Sequence, residues 1–175
     1  ISPTNDSMTR EGTATVARGA TELERMADIT SLPVVGARAT CAVAYQGRVA
    51  CFDMSNGSTL WTRDLSSSKG LDLDDRHVFV TDEKGAVHAL DISSGASAWK
   101  QDQLASRGTG RPLVSGDQVF VGDSEGYVHI LKKDDGTLVG RQRVASSPIV
   151  ADLQRAAGDI IAQTRDGTVA AIGVQ

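Results

Sequence analysis

From Thr30 to the C-terminus, apolar and polar residues alternate with a period of two, in short runs broken by Gly, Asp and Ser. That period predicts half-buried β-strands joined by tight turns. The clearest unit is TDEKGAVHALDISSGASAW, Thr81 to Trp99: two strands, a Lys84-Gly85 turn, a second turn over Ser93 to Ala96, and a Trp opening the next strand. Four copies align on the glycine closing the first hairpin, at Gly47, Gly85, Gly126 and Gly167, with spacings of 38, 41 and 41 residues. An apolar run leads into each copy: Leu32 to Val35, Leu71 to Leu73, Pro112 to Val114 and Pro148 to Val150. A β-rich strand follows in each: Ala42 to Tyr45, His77 to Thr81, Gln118 to Val121 and Ile160 to Gln163. The hairpin glycine is expected to take positive φ.

Such a period, at about four strands per copy, predicts an all-β fold, a propeller of four-stranded antiparallel blades. The expected blades are 30–65, 70–104, 109–144 and an incomplete one at 146–175. In the first two copies the second strand ends at an Asp, a Gly follows four residues on, and a Trp four after that. These triplets are Asp53-Gly57-Trp61 and Asp91-Gly95-Trp99. The Trp is expected to pack between neighbouring blades, and the Asp to bond backbone within its own turn. The third copy has Lys132, Gly136 and Gly140 at these places. Four blades are few for a closed ring, so part of a larger ring is expected. Its open faces invite self-association of half rings.

Residues 1–29 break the alternation. The first twenty are polar and irregular. Thr21-Glu22-Leu23-Glu24 then fits a capping box, and Leu23, Met26 and Ala27 follow at helical spacing. This predicts a loop carrying one short helix from Glu22 to about Ala27. A helix so short needs a docking surface, either the domain's own core or a partner.

Composition sharpens this in a few ways. The chain has 175 residues, 40% apolar and 23% charged, a globular balance. Net charge is −4 without a basic stripe, which disfavours a nucleic-acid partner. The first residue is Ile, and neither a signal peptide nor a lipid-attachment Cys is visible, so the chain is expected to be mature, truncated or proteolysed.

Most chemical candidates dissolve against the repeat. Gly122-Asp123-Ser124-Glu125-Gly126 has the spacing of a nucleophile elbow, but occupies the hairpin turn shared with Thr81 to Gly85. No catalytic residue is assigned. His88 and His129 share one position on adjacent copies, but Ala50 and Ala170 hold it elsewhere, so partly buried histidines are expected rather than a metal site. Cys41 and Cys51 flank the first hairpin turn. A disulfide across the hairpin is open, and two small buried thiols are the preferred reading. Asp72-Asp74-Asp75 and Asp134-Asp135 lack calcium-loop spacing and read as solvated turn carboxylates. No cofactor is expected.

The pattern running from Cys51 to Trp61 and from Ala89 to Trp99 resembles the blades of quinoprotein-like β-propellers, with PQQ-like repeats. Three stretches are similar to the BamB family, lipoproteins of the outer-membrane β-barrel assembly (BAM) complex. They are Thr21 to Asp28 leading into Pro33-Val34-Val35, then Val121 to His129, then Arg165 to Val169. The resemblance covers essentially the whole chain and implies the C-terminal half of an eight-bladed ring. It implies no enzymatic activity. It implies a scaffold at the periplasmic face of the outer membrane, lipid-anchored in the full-length parent. That scaffold binds the POTRA domains of BamA and assists insertion of nascent outer-membrane proteins. The family's contact loop after the helix has an acidic position matching Asp28, while its second acidic position is Thr30 here. Arg25 and Glu22 are added from the expected exposed face of the helix. The family's other main contact, an apolar-and-Arg loop in an earlier blade, has no counterpart in this chain. Two alternatives accompany this reading: a fragment of a quinoprotein dehydrogenase, which calls for calcium ligands and a vicinal Cys pair, and a generic propeller module with another partner.

Overall fold

A computed structural model describes residues 31–174. These fold into four antiparallel meanders of consecutive strands. The first joins β1 (Val34–Val35), β2 (Ala39–Val43), β3 (Arg48–Asp53) and β4 (Thr59–Asp64). The second joins β5 (Leu71–Leu73), β6 (His77–Thr81), β7 (Val87–Asp91) and β8 (Ser97–Gln101). The third joins β9 (Leu113–Ser115), β10 (Gln118–Gly122), β11 (Tyr127–Lys132) and β12 (Leu138–Arg143). The fourth has three strands among the described residues, β13 (Gln154–Ala156), β14 (Asp159–Gln163) and β15 (Val169–Gly173). No described residue is helical; the helix expected from Glu22 to Ala27 lies outside the described residues.

The sheets stack face on face as blades, and the burial pattern along the strands records the stacking. In β6, Val78 and Val80 pack with Cys41, Cys51 and Trp61 of the first blade, while Phe79 turns the other way onto Val119 and Val121 of the third. In β10, Phe120 reaches Ile160 and Ile172 of the fourth. Successive strand residues face opposite sides, so a strand covered on both faces reads as an unbroken apolar run. Among the described residues β2 has a neighbouring blade on one side only, and it alternates buried with half-buried residues.

Each of the first two junctions is locked by one indole. Trp61 lies against Gly95 of the next blade's turn, and its Nε1 donates to the Ile92 carbonyl at 2.8 Å. Trp99 does the same to Gly136 and the Lys133 carbonyl, also at 2.8 Å. Two residues on, Arg63 donates to the Gly95 carbonyl at 2.7 Å and Gln101 to the Gly136 carbonyl at 2.9 Å. A Cβ at Gly136 would fall 2.5 Å from the Trp99 ring, so only glycine admits this approach. The turn itself is sealed by Asp91, whose Oδ1 accepts the amides of Ser93 and Ser94 at 3.0 and 2.9 Å; Asp53 plays the same part for Ser55 and Asn56.

Several expectations need correction. β2 ends at Val43 rather than running from Ala42 to Tyr45, because the Ala44 amide already closes the hairpin onto the Arg48 carbonyl. In that hairpin Gln46 takes the positive φ (52°) and Gly47 does not. Glycine is needed at 47 for space instead, since a Cβ would lie 2.8 Å from that of Ala44. Pro148 to Val150 is not the lead-in strand of the fourth blade. Ile149 makes a single bridge to Thr164, and polar Gln154–Ala156 pairs with β14. Asp72 is not solvated: it is buried on β5, accepts the Val114 amide at 2.8 Å and pairs with Arg155, a clasp joining blades two, three and four. Cys41 and Cys51 face each other across β2 and β3 and form a disulfide.

Candidate partner-docking surface

Connection geometry gives the stack two distinct ends. One carries the β1–β2 and β3–β4 type turns. The other gathers the hairpin turns at residues 44–47, 82–86, 123–126 and 164–167 with the links between blades at 65–70, 102–112 and 144–153. Ser31, the first described residue, enters at this second end. It lies against Gly70 and lines an open cleft of about 600 Å³ with Lys69, Arg111, Ile149, Asp152 and Arg165. Arg111 is held there by the Leu71 carbonyl (2.7 Å) and Asp152 (3.3 Å), while Lys69 and Arg165 are exposed.

The hairpin turns at this end rest on paired charges. Asp123 is fully buried. Its Oδ1 accepts the amides of Glu125 and Tyr127, both at 2.9 Å, and its Oδ2 accepts His129 Nε2 and Arg107 Nε, both at 2.8 Å. Burial works against the charge of Asp123, but the bonds from His129, the Tyr127 amide and Arg107 outweigh it and hold the carboxyl below its ordinary range. An ionised Asp only accepts, so His129 Nε2 carries the shared proton; its Nδ1 is buried without a partner. Arg107 is pushed up by its bond to Asp123 and also reaches Glu125 at 2.9 Å. Blade two repeats the core of this arrangement: Asp82 accepts the Lys84 and Ala86 amides and meets His88 Nε2 at 2.9 Å. Burial opposes its charge too, and His88 and the Ala86 amide again prevail, so the Asp82 carboxyl is also lowered.

The two histidines therefore answer to their own aspartates rather than to a shared ion. Among the described residues no group of three or more His, Cys, Asp or Glu is arranged to hold a metal. Ser124 Oγ is committed to the Arg107 carbonyl at 2.8 Å, and the turn lies between two strands. The pairing of Asp and His escaped the sequence reading, though its signal was there: the same six-residue spacing in TDEKGAVH and GDSEGYVH. Of the positions expected to meet a partner, Glu22, Arg25, Asp28 and Thr30 all lie outside the described residues. Thr30 directly precedes Ser31 in the sequence.

Comparison with known proteins places the chain. A family described as outer membrane protein assembly factor BamB matches residues 2–101 and 99–175. The chain is 43% identical over 166 residues to the BamB of Nitrosomonas eutropha, covering 94% of this chain and 41% of that protein. It is 39% identical over 160 residues to that of Bordetella pertussis, covering 91% and 42%. The crystal structure of BamB from Moraxella catarrhalis superposes with a TM-score of 0.82 at 31% identity, covering 89% of this chain and 46% of that one. The chain thus spans about two fifths of the length of these curated relatives.

Proposed function

The chain belongs to the family of outer membrane protein assembly factor BamB, and from that premise we propose that it is a non-enzymatic scaffold in outer-membrane protein assembly. It works at the periplasmic face of the outer membrane, as part of a longer, lipid-anchored parent that completes the ring. A disulfide buried between β2 and β3 suits that oxidising compartment.

The partner is the POTRA region of BamA, and the docking element is the segment carrying Glu22, Arg25, Asp28 and Thr30. One observation supports this assignment: the segment is followed in sequence by Ser31, which lines the cleft on the end where three blade links and four hairpin turns converge. Loops on a rigid scaffold are where binding residues concentrate. Indole locks and the Asp72–Arg155 clasp supply the rigidity.

Calorimetric titration of the chain with BamA POTRA domains tests the proposal, alongside Asp28→Arg. The expected result is binding by the parent sequence and at least about a tenfold loss in the variant, the usual scale for reversing a charge at a contact. Equal binding by both moves the docking site elsewhere. Absence of binding by this chain and by the full-length parent rejects the partner.

A further inference from the structure

Tyr127, at the start of β11 beside the hairpin turn of blade three, has three guanidinium groups around its ring. Arg141, Arg143 and Arg107 lie 5.1, 5.7 and 5.8 Å from the ring centre. Register pairs Tyr127 with Arg143 and His129 with Arg141, so these four side chains share one face of the sheet. Beneath them the buried Asp123–His129 pair and Arg107 fix the base of the cluster.

The charges do not cancel. Arg107 is met by Asp123 and Glu125, but among the described residues neither Arg141 nor Arg143 has a carboxylate partner; Arg143 bonds only the Ala145 carbonyl at 3.2 Å. β12 is also an edge strand, with no pairing on its outer side among the described residues. At its other end Leu138 and Val139 are exposed.

The fold does not require this cluster. Blade two places Ala86, Lys100 and Asp102 at the positions of Tyr127, Arg141 and Arg143, with the same Asp–His pair below. The aromatic ring and the second exposed arginine are therefore additions to blade three, and Tyr and Arg are the side chains that dominate binding hot spots.

We infer that β12, with Tyr127, Arg141 and Arg143, is a docking edge for an extended, acidic segment of a partner protein. The segment adds alongside β12 through main-chain hydrogen bonds. Its carboxylates, spaced every second residue, meet the two arginine forks, whose planar geometry matches carboxylates in pairs. Tyr127 holds the guanidinium groups in place before the partner arrives, which lowers the entropy lost on binding. This docking edge is proposed independently of the Asp28 assignment.

Fluorescence anisotropy on the full chain, with a labelled eight-residue peptide of alternating Val and Glu, tests the inference. Binding is expected at low salt and should weaken as salt screens it. Arg141→Glu with Arg143→Glu should lower affinity by about tenfold or more without moving the thermal melt, since both side chains are exposed. Lys100→Glu in blade two should leave it unchanged. A Val–Lys peptide, or one N-methylated at alternate amides, should not bind. Equal binding by the double variant, by the Val–Lys peptide or by the N-methylated peptide overturns the inference. So does binding of phosphatidylglycerol vesicles through the same arginines with no peptide binding, which makes the patch a membrane contact.

Discussion

Blades two and three share a plan yet differ in how they are held. Blade two is clamped by an indole on both sides: Trp61 presses onto its Gly95 turn, and its own Trp99 presses onto Gly136 of blade three. Blade three receives an indole but sends none, because Gly140 stands where Trp99 stands. Its junction with blade four relies instead on Leu113, Phe120 and Val128 against Ile160 and Ile172, and on Arg155 reaching back to Asp72. The outer strands show the result. β8 buries Trp99 and Gln101, whereas β12 has no buried residue. The strand released from clamping is the one that carries Arg141 and Arg143, which have no carboxylate partner among the described residues. A repeat can keep its turns and inner strands and still free its outer strand for contact, provided another junction supplies the cohesion.

The largest test of that contrast is Trp99→Ala. Removing a buried indole and its bond to the Lys133 carbonyl should cost about 3–5 kcal/mol. It should show in urea unfolding as a lower midpoint, or as a separate early transition if blades three and four detach. A single transition with an unchanged midpoint would mean that the indole is not the lock. Next comes the comparison of the two Asp–His pairs. Asp123→Asn leaves Arg107 without its buried counter-charge and His129 Nε2 without its ionised acceptor, and should cost about 3 kcal/mol. Asp82→Asn, without an arginine partner, should cost nearer 1 kcal/mol. Equal losses would show that Arg107 adds nothing to blade three.

The smallest effect is on pH. The carboxyls of Asp82, Asp91 and Asp123 are all lowered in the fold, Asp91 to about 2 by the hydroxyls of Ser93 and Ser94, against an unfolded value of 3.8. A lowered folded value means that the unfolded chain binds protons first. The stabilisation is therefore full above the unfolded value and is lost as pH falls from about 4 towards 2. Melting temperature measured across that range should drop with acid, and less steeply in Asp91→Asn. A melt that rises with acid would contradict the lowered values.

Much of the fold was readable because the repeat supplied its own controls. Four glycines at nearly constant spacing marked the hairpins, and the same alignment argued against a nucleophile at Ser124 and a metal role for the histidines. The Asp–His pairs were equally legible at six residues apart, but seeing them requires knowing that the turn folds the Asp back over the strand. The first strand of the fourth blade was not legible. Gln154–Ala156 carries no apolar signal; it is a strand because β14 offers it backbone partners, while the more apolar Pro148 to Val150 forms only one bridge. The arginine cluster was invisible for a similar reason. Arg107, Tyr127, Arg141 and Arg143 come together only through strand register and the link between blades.

By itself the sequence determined the all-β class, the repeat, the turn positions and the family resemblance, because these depend on local periodicity and on residues that turns demand. Only the tertiary structure decided which glycine an indole would rest on, that Cys41 meets Cys51, that Asp72 is buried in a clasp, and that Arg141 and Arg143 gather around Tyr127. Those are contacts between segments some ten to eighty residues apart, and no local pattern encodes which distant partner a buried charge or ring will find.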